Sequence, residues 1–189
     1  MKVRVESVED RHAVARVHRE AFGTGGDRVA KLADALRCLI TTESGVSLVA
    51  EEESLIVGHV MFTPSLLDAP RELVTVQVLS PIGVLPSHQR EGTGSKLIKL
   101  GLEMMDERGV PVVFLEGSPT YYQRFGFSSG GELGFRRPSL RIPDTSFQAI
   151  QLSAFEPWMR GTLVYSDIFW EHDAVGLREE NHVPSPDLD

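Results

Sequence analysis

The chain contains little that could cross-link it or anchor it in a membrane. Cys38 is the only cysteine among 189 residues, so no disulfide can form within the chain. No apolar run approaches the roughly 18 residues that span a bilayer. The N-terminus lacks the apolar segment of a secretory signal. These absences predict a cytoplasmic protein with no membrane association.

The charge balance and the histidine pattern exclude two further classes of ligand. Acidic residues number 27 against 19 basic ones, which gives a formal net charge of −8. Such a surface repels the phosphates of nucleic acids on average, so no nucleic-acid partner is expected. The six histidines show no spacing typical of metal ligands, and no metal is predicted.

Length and composition are those of one ordinary soluble domain. Apolar periodicity predicts a strand, two helices, a hairpin and the long buried strand Leu73–Val84. A helix over residues 95–108 and a strand over 112–115 follow, then a short helix and further strands. This order predicts an α/β domain over residues 1–170, with a mixed sheet and helices on both faces. The polar, acidic residues 171–189 are predicted to form a flexible tail.

The segment from Val84 to Leu97 leads from a buried strand into a helix through Gly92 and Gly94. Backbone N–H groups of a glycine-rich turn, together with a helix N-terminus, form an anion site that needs no formal positive charge. A dinucleotide fingerprint requires a third glycine where Leu97 stands, and the spacing of a P-loop is absent. The sequence therefore predicts a phosphate-bearing ligand of another class.

Two motifs resemble those of a known superfamily. Residues 89–94, Gln-Arg-Glu-Gly-Thr-Gly, resemble the acetyl-CoA pyrophosphate loop Q/R-x-x-G-x-G/A of the GNAT N-acetyltransferases. Residues 121–127, Tyr-Tyr-Gln-Arg-Phe-Gly-Phe, are most similar to a segment of the predicted YhbS-type acetyltransferases. The resemblance implies a fourth strand that is bulged and splayed from its parallel neighbour, an interruption that Pro81 would fit. It also implies direct transfer of an acetyl group from acetyl-CoA to a primary amine.

The resemblance also assigns residues to the coenzyme. Main-chain donors of the glycine turn are expected to bind its diphosphate, and a backbone N–H group of the preceding strand is expected to stabilise the oxyanion. The expected cofactor-binding residues are Ile82, Gly83, Val84, Gln89, Arg90, Glu91, Gly92, Thr93, Gly94 and Ser95.

Tyr122 lies four residues before Gly126, the spacing at which related enzymes place an acid tyrosine. We expect Tyr122 to protonate the departing thiolate. Of the Tyr121/Tyr122 pair, one residue is expected to pack in the core while the other faces the coenzyme. For the general base, some members of the superfamily carry a glutamate on the fourth strand, where this chain has no carboxylate. Glu116 is the nearest candidate. A purely structural role for Glu116 and a water chain as the base remain open.

Two rival interpretations keep a phosphate ligand but change the function. The first is a non-catalytic sensor that binds acetyl-CoA, and the second is a nucleotide-binding protein of another fold. For an enzyme, the acceptor is expected to be a small-molecule or peptide amine. A homodimer is implied by resemblance alone.

Overall fold

The computed structural model describes residues 1–178, and within them eight strands form one sheet. Its neighbours follow the order β1-β2-β3-β4-β5-β7-β6, and β8 pairs with the far end of β3. The strands are β1 (Lys2–Val5), β2 (Val46–Glu52), β3 (Leu55–Asp68), β4 (Leu73–Val84), β5 (Val112–Glu116), β6 (Ser128–Ser129), β7 (Phe147–Gln151) and β8 (Thr162–Val164).

Five α-helices accompany the sheet within the same residues. Among the strands of residues 1–178, only β4 and β5 pair in parallel, and the helix between them is the crossover that a parallel pair needs. The helices are α1 (Arg11–Phe22), α2 (Gly26–Leu36), α3 (Thr93–Glu107), α4 (Pro119–Tyr122) and α5 (Asp167–Glu171). None of the helices in the described part of the chain is long and apolar enough to cross a membrane.

Helices cover both faces of the sheet, which confirms the predicted α/β arrangement. On one face, α3 lies so close to β3 that a Cβ atom at Gly101 would come within 2.1 Å of the Phe62 ring. On the other face, α1 brings the imidazole of His18 to within 2.8 Å of the imidazole of His59 on β3. Adjacent strand residues point to opposite faces, so β3 contacts both layers.

Strands β4 and β5 separate soon after they meet. Their parallel pairing covers only Gln77 and Val78 of β4. The register between β3 and β4 shifts between Val60 and Phe62, and the bulge contains Pro81. Proline has no N–H group to donate to a ladder, which explains why the interruption falls there. The splayed fourth strand implied by the resemblance is therefore present, and it leaves one edge of β4 open beyond Val78.

Two boundaries differ from those expected from the sequence. Helix α3 begins at Thr93 rather than at Ser95, so Thr93 and Gly94 belong to its first turn rather than to the preceding loop. At the C-terminal end, α5 crosses the expected domain boundary at residue 170, and the Val175 side chain is fully buried. The packed part of the chain thus extends beyond that boundary. Residues 179–189 of the expected tail lie outside the described residues.

Candidate active site

The start of α3 presents free backbone donors. Gly92 is its N-cap residue, with a left-handed φ of 87° that glycine adopts at little cost. The first bond across the turn runs from the Lys96 N–H group to the Gly92 carbonyl, at 3.0 Å. The N–H groups before Lys96 have no acceptor within the helix, because the first turn of any α-helix lacks one. Together with the helix dipole, they favour an anion.

A cavity of about 600 Å³ lies at this helix start. It brings together nine of the ten expected cofactor-binding residues, while the tenth, Glu91, is not part of its lining. Three residues that the sequence did not single out for this role also line it, namely His88, Tyr121 and Arg124. The full lining is Ile82, Gly83, Val84, His88, Gln89, Arg90, Gly92, Thr93, Gly94, Ser95, Tyr121 and Arg124.

The shape and charge of the cavity suit a diphosphate. A Cβ atom at Gly94 would lie 2.9 Å from the Tyr121 hydroxyl oxygen, so only glycine leaves the gap between helix and ring open. The Arg124 guanidinium lies 4.6 Å from the Tyr121 ring centroid, and its Nε donates to the Tyr121 carbonyl at 2.9 Å. Gln89 fixes the loop, because its Nε2 donates to the Val84 carbonyl at 3.0 Å. Arg90 and Arg124 supply positive charge.

The side chains of Tyr121 and Tyr122 have different surroundings. Tyr121 lines the cavity, whereas Tyr122 is absent from its lining. The Tyr122 ring packs edge-on against Phe127, with 5.9 Å between centroids, and a Cβ atom at Gly117 would lie 2.4 Å from it. Burial, with a contribution from Tyr121, raises the pKa of Tyr122 to about 12. Tyr122 is therefore a protonated phenol at the carboxyl end of β5, where β4 and β5 have diverged.

Both carboxylate oxygens of Glu116 are engaged by the protein. The Tyr165 hydroxyl donates to one oxygen at 3.0 Å, and the Gly176 N–H donates to the other at 3.0 Å. Burial raises the pKa of Glu116, and these two hydrogen bonds act in the opposite direction. The two contacts tie Tyr165, which precedes α5, and Gly176, which follows it, to the end of β5. This geometry favours a structural role over that of a general base.

Comparisons with known proteins agree with this fold. Residues 2–130 match the Acetyltransferase (GNAT) domain family. The chain is 33% identical over 133 residues to the uncharacterized N-acetyltransferase YjhQ of Escherichia coli K12, covering 68% of this chain and 71% of that protein. It is 31% identical over 131 residues to the uncharacterized N-acetyltransferase YhbS of the same strain, covering 67% and 73%. The chain therefore belongs to the GNAT acetyltransferase family, and it is an acyltransferase.

Solved structures of related proteins show the same architecture. The crystal structure of YhbS from Escherichia coli in complex with CoA superposes with a TM-score of 0.78 at 26% identity, covering 89% of this chain and 91% of that one. A GNAT family acetyltransferase from Brucella melitensis in complex with acetyl-CoA gives a TM-score of 0.68 at 29% identity, covering 89% and 97%. The predicted fold and family are thus confirmed.

We expect Glu116→Gln to keep kcat within about threefold of the wild-type value, a change of less than 1 kcal/mol in the barrier. The amide oxygen can accept from the Gly176 N–H, and the Tyr165 hydroxyl can turn to accept from the amide NH₂ group. Steady-state acetyl transfer at saturating substrates measures this. A general base contributes a factor of about 10² to 10⁴ to the rate, so a hundredfold loss of kcat would support Glu116 as the general base.

Proposed function

We propose that the protein transfers an acetyl group from acetyl-CoA to the primary amine of a small molecule or peptide. The observation that carries this proposal is the cavity at the start of α3, where free N–H donors, two arginines and a glycine-limited gap come together. The complexes of the two structural relatives with CoA and acetyl-CoA support the same ligand.

Different residues of the chain would bind the diphosphate and the thioester of the coenzyme. The first turn of α3 would hold the diphosphate through backbone donors, with Arg90 and Arg124 beside it. Bound acetyl-CoA would supply an acetyl group already activated as a thioester. Along β4, every second residue directs its N–H group away from β3. Within residues 82–84, such N–H groups face the edge of β4 that β5 leaves open. Such a donor would stabilise the oxyanion without any side chain.

Tyr122 is the proposed proton donor for the sulfur. Its pKa of about 12 keeps the phenol protonated at neutral pH, and its ring lies against Gly117 at the end of β5. A free thiol has a pKa of about 8.5, so proton transfer from Tyr122 to an exposed thiolate would be uphill. Burial also raises the pKa of a thiolate, which reduces that difference within a closed site. The spacing of Tyr122 before Gly126 supports the same role through the family resemblance.

Two measurements test the proposal. The first is thermal denaturation with acetyl-CoA, CoA or ATP, because a ligand that binds the folded state raises the midpoint. We expect a shift with both coenzymes and none with ATP. The second is release of free thiol from acetyl-CoA with a panel of primary amines. Binding without thiol release from any amine would support the acetyl-CoA sensor instead, and stabilisation by ATP alone would overturn both interpretations.

A further inference from the structure

A second cavity, of about 460 Å³, lies at the edge of the sheet, where β1 ends and β2 begins. We call it the edge cavity. Its lining comes from the segment after β1, the start of α1, the start of β2 and the residues that follow α2 and α3. It shares no lining residue with the coenzyme cavity. Its volume lies within the range of about 300–1,000 Å³ that is usual for small-molecule sites.

Part of the lining of the edge cavity is apolar and accessible. Val5, Val8, Ile40 and Val46 contribute to it. Val5 is 55% exposed and Val8 is 71% exposed. Single exposed apolar side chains are common on protein surfaces, but here two of them line one cavity. A ligand in the edge cavity would therefore remove apolar surface from water, which favours binding.

The edge cavity is also lined by three arginines and one carboxylate. The carboxylate belongs to Glu6, and Arg37 is already paired with it. Arg37 donates to Glu6 Oε1 from Nη2 at 2.6 Å and from Nε at 3.0 Å. Ser47 Oγ donates to the other oxygen of Glu6, whose side chain is only 5% exposed. Glu6 and Arg37 thus balance each other's charge and leave the other two arginines unbalanced.

Those two arginines, Arg11 and Arg108, have no acidic partner in the described part of the chain. None of the ion pairs within residues 1–178 involves either of them. Arg108 Nη1 donates to the Gly45 carbonyl at 2.6 Å, which holds the guanidinium beside β2. The chain as a whole carries a formal net charge of −8. Two unbalanced guanidinium groups in one cavity therefore create a local preference for an anion.

The wall that binds Arg108 is a fixed turn. The Thr41 N–H group donates to the Ser44 carbonyl at 2.8 Å. Gly45 follows with a left-handed φ of 73°, and a Cβ atom there would lie 2.6 Å from the Phe62 carbonyl oxygen. Only glycine therefore lets this turn pack against β3. The edge cavity is formed before any ligand arrives, which lowers the entropic cost of binding.

We infer that the edge cavity binds a small carboxylate with an apolar body, such as a medium-chain fatty acid or an aryl carboxylate. Its carboxylate accepts hydrogen bonds from Arg11 and Arg108, because the planar guanidinium matches the two oxygens of a carboxylate. Its apolar body covers Val5 and Val8. Since the two cavities share no residue, this ligand and the coenzyme bind to the same molecule at once.

Other ligands match the edge cavity less well. A cation would be repelled by Arg11 and Arg108. A phosphate would satisfy both arginines, but it would leave the apolar side chains exposed to water. A role for the two arginines as solvated surface charges is the remaining alternative, and it predicts that no carboxylate binds.

Calorimetric titration of the full chain with octanoate tests the inference. The protein is first saturated with CoA, so that the acyl chain cannot enter the coenzyme cavity. We expect one octanoate to bind per chain. Arg11→Gln and Arg108→Gln should each weaken this binding about tenfold or more, since each removes a charge-assisted hydrogen bond. Arg11 is exposed at the start of α1, so its substitution leaves the core unchanged.

Arg16→Gln is the matched control for Arg11→Gln. It lies on the same helix and removes the same charge, but Arg16 does not line the edge cavity. Octanoate affinity should therefore stay within about twofold of wild type. An equal loss of affinity in Arg16→Gln and Arg11→Gln would show that only the net charge matters, which overturns the proposed site.

Two further probes test the two parts of the ligand. Octanol keeps the chain without the charge, and inorganic phosphate keeps a charge without the chain. We expect both to bind at least about tenfold more weakly than octanoate, because each lacks one of the two contacts. If either probe bound as tightly as octanoate, the proposed class of ligand would be wrong.

Methyl NMR of the CoA-saturated protein locates the bound octanoate. We expect it to shift the methyl signals of Val5, Val8 and Ile40. The signals of Ile82 and Val84, which line the coenzyme cavity, should stay in place. Shifts at Ile82 and Val84 alone, or no binding at all, would overturn the inference. Neither result would touch the proposed acetyl transfer, because no step of this test measures it.

Discussion

Replacing Tyr122 with phenylalanine is expected to lower kcat by about 10² to 10⁴, the usual contribution of a positioned acid. The phenyl ring keeps the packing against Phe127 and Gly117, so only the proton is lost. Acetyl-CoA affinity should stay within about threefold of wild type, because the proposed proton transfer occurs only as the thiolate departs and the residues that line the cavity at the start of α3 are unchanged. Steady-state kinetics and calorimetric titration measure the two effects separately.

Tyr121→Phe is the matched control for Tyr122→Phe. The Tyr121 hydroxyl lies at the start of α3, beside Gly94, rather than at the end of β5. Its loss should change the Kd for acetyl-CoA more than kcat. If Tyr121→Phe lost kcat while Tyr122→Phe retained it, the acid would be Tyr121 and the assignment from sequence spacing would be wrong.

Gly94→Val is expected to weaken acetyl-CoA binding by about 10- to 100-fold. Even a Cβ atom would lie 2.9 Å from the Tyr121 hydroxyl, and the branched side chain would occupy the gap in front of the first helical turn. The phosphate would then lose at least one charge-assisted hydrogen bond, worth about 1.5–3 kcal/mol. Each 1.4 kcal/mol is about a factor of ten in affinity. Calorimetric titration with CoA measures the change.

Glu91→Ala is the control within the same loop. The Glu91 side chain does not line the cavity, so any part that this residue plays is through its backbone, which the substitution retains. Affinity for CoA should therefore stay within about twofold of wild type. Unchanged binding by Gly94→Val would refute the proposal that the diphosphate lies at the start of α3.

Both ends of the strand that carries the site were predicted correctly from the sequence. Leu73–Val84 is a mostly apolar run that ends before Pro86, and the structure has β4 over those bounds. The bulge was predictable from Pro81, because a missing N–H group is a local property of one residue. The start of α3 was predicted two residues late, since Gly94 was assigned to the loop by its residue type. A left-handed Gly92 caps the helix earlier.

The side-chain environments were not predictable in the same way. His18 directly follows Val17 in α1, and a helical pattern gives a histidine no signal that it will be fully buried. Its partner His59 is separated from it by 41 positions, so the contact depends on how α1 packs on the sheet. Glu116 was a candidate base from its place at a strand end. Only the tertiary packing of Tyr165, before α5, and Gly176, after it, reveals that its two oxygens are already engaged.

The sequence by itself determined the fold class and the glycine turn at Gly92 and Gly94, and it predicted an anion site at the start of α3. These follow from local periodicity, backbone freedom and helix geometry, which depend on neighbouring residues only. The tertiary structure decided which of Tyr121 and Tyr122 lines the cavity and that both oxygens of Glu116 accept hydrogen bonds. Those outcomes depend on contacts between distant segments, because burial and hydrogen-bond partners exist only after the layers have packed.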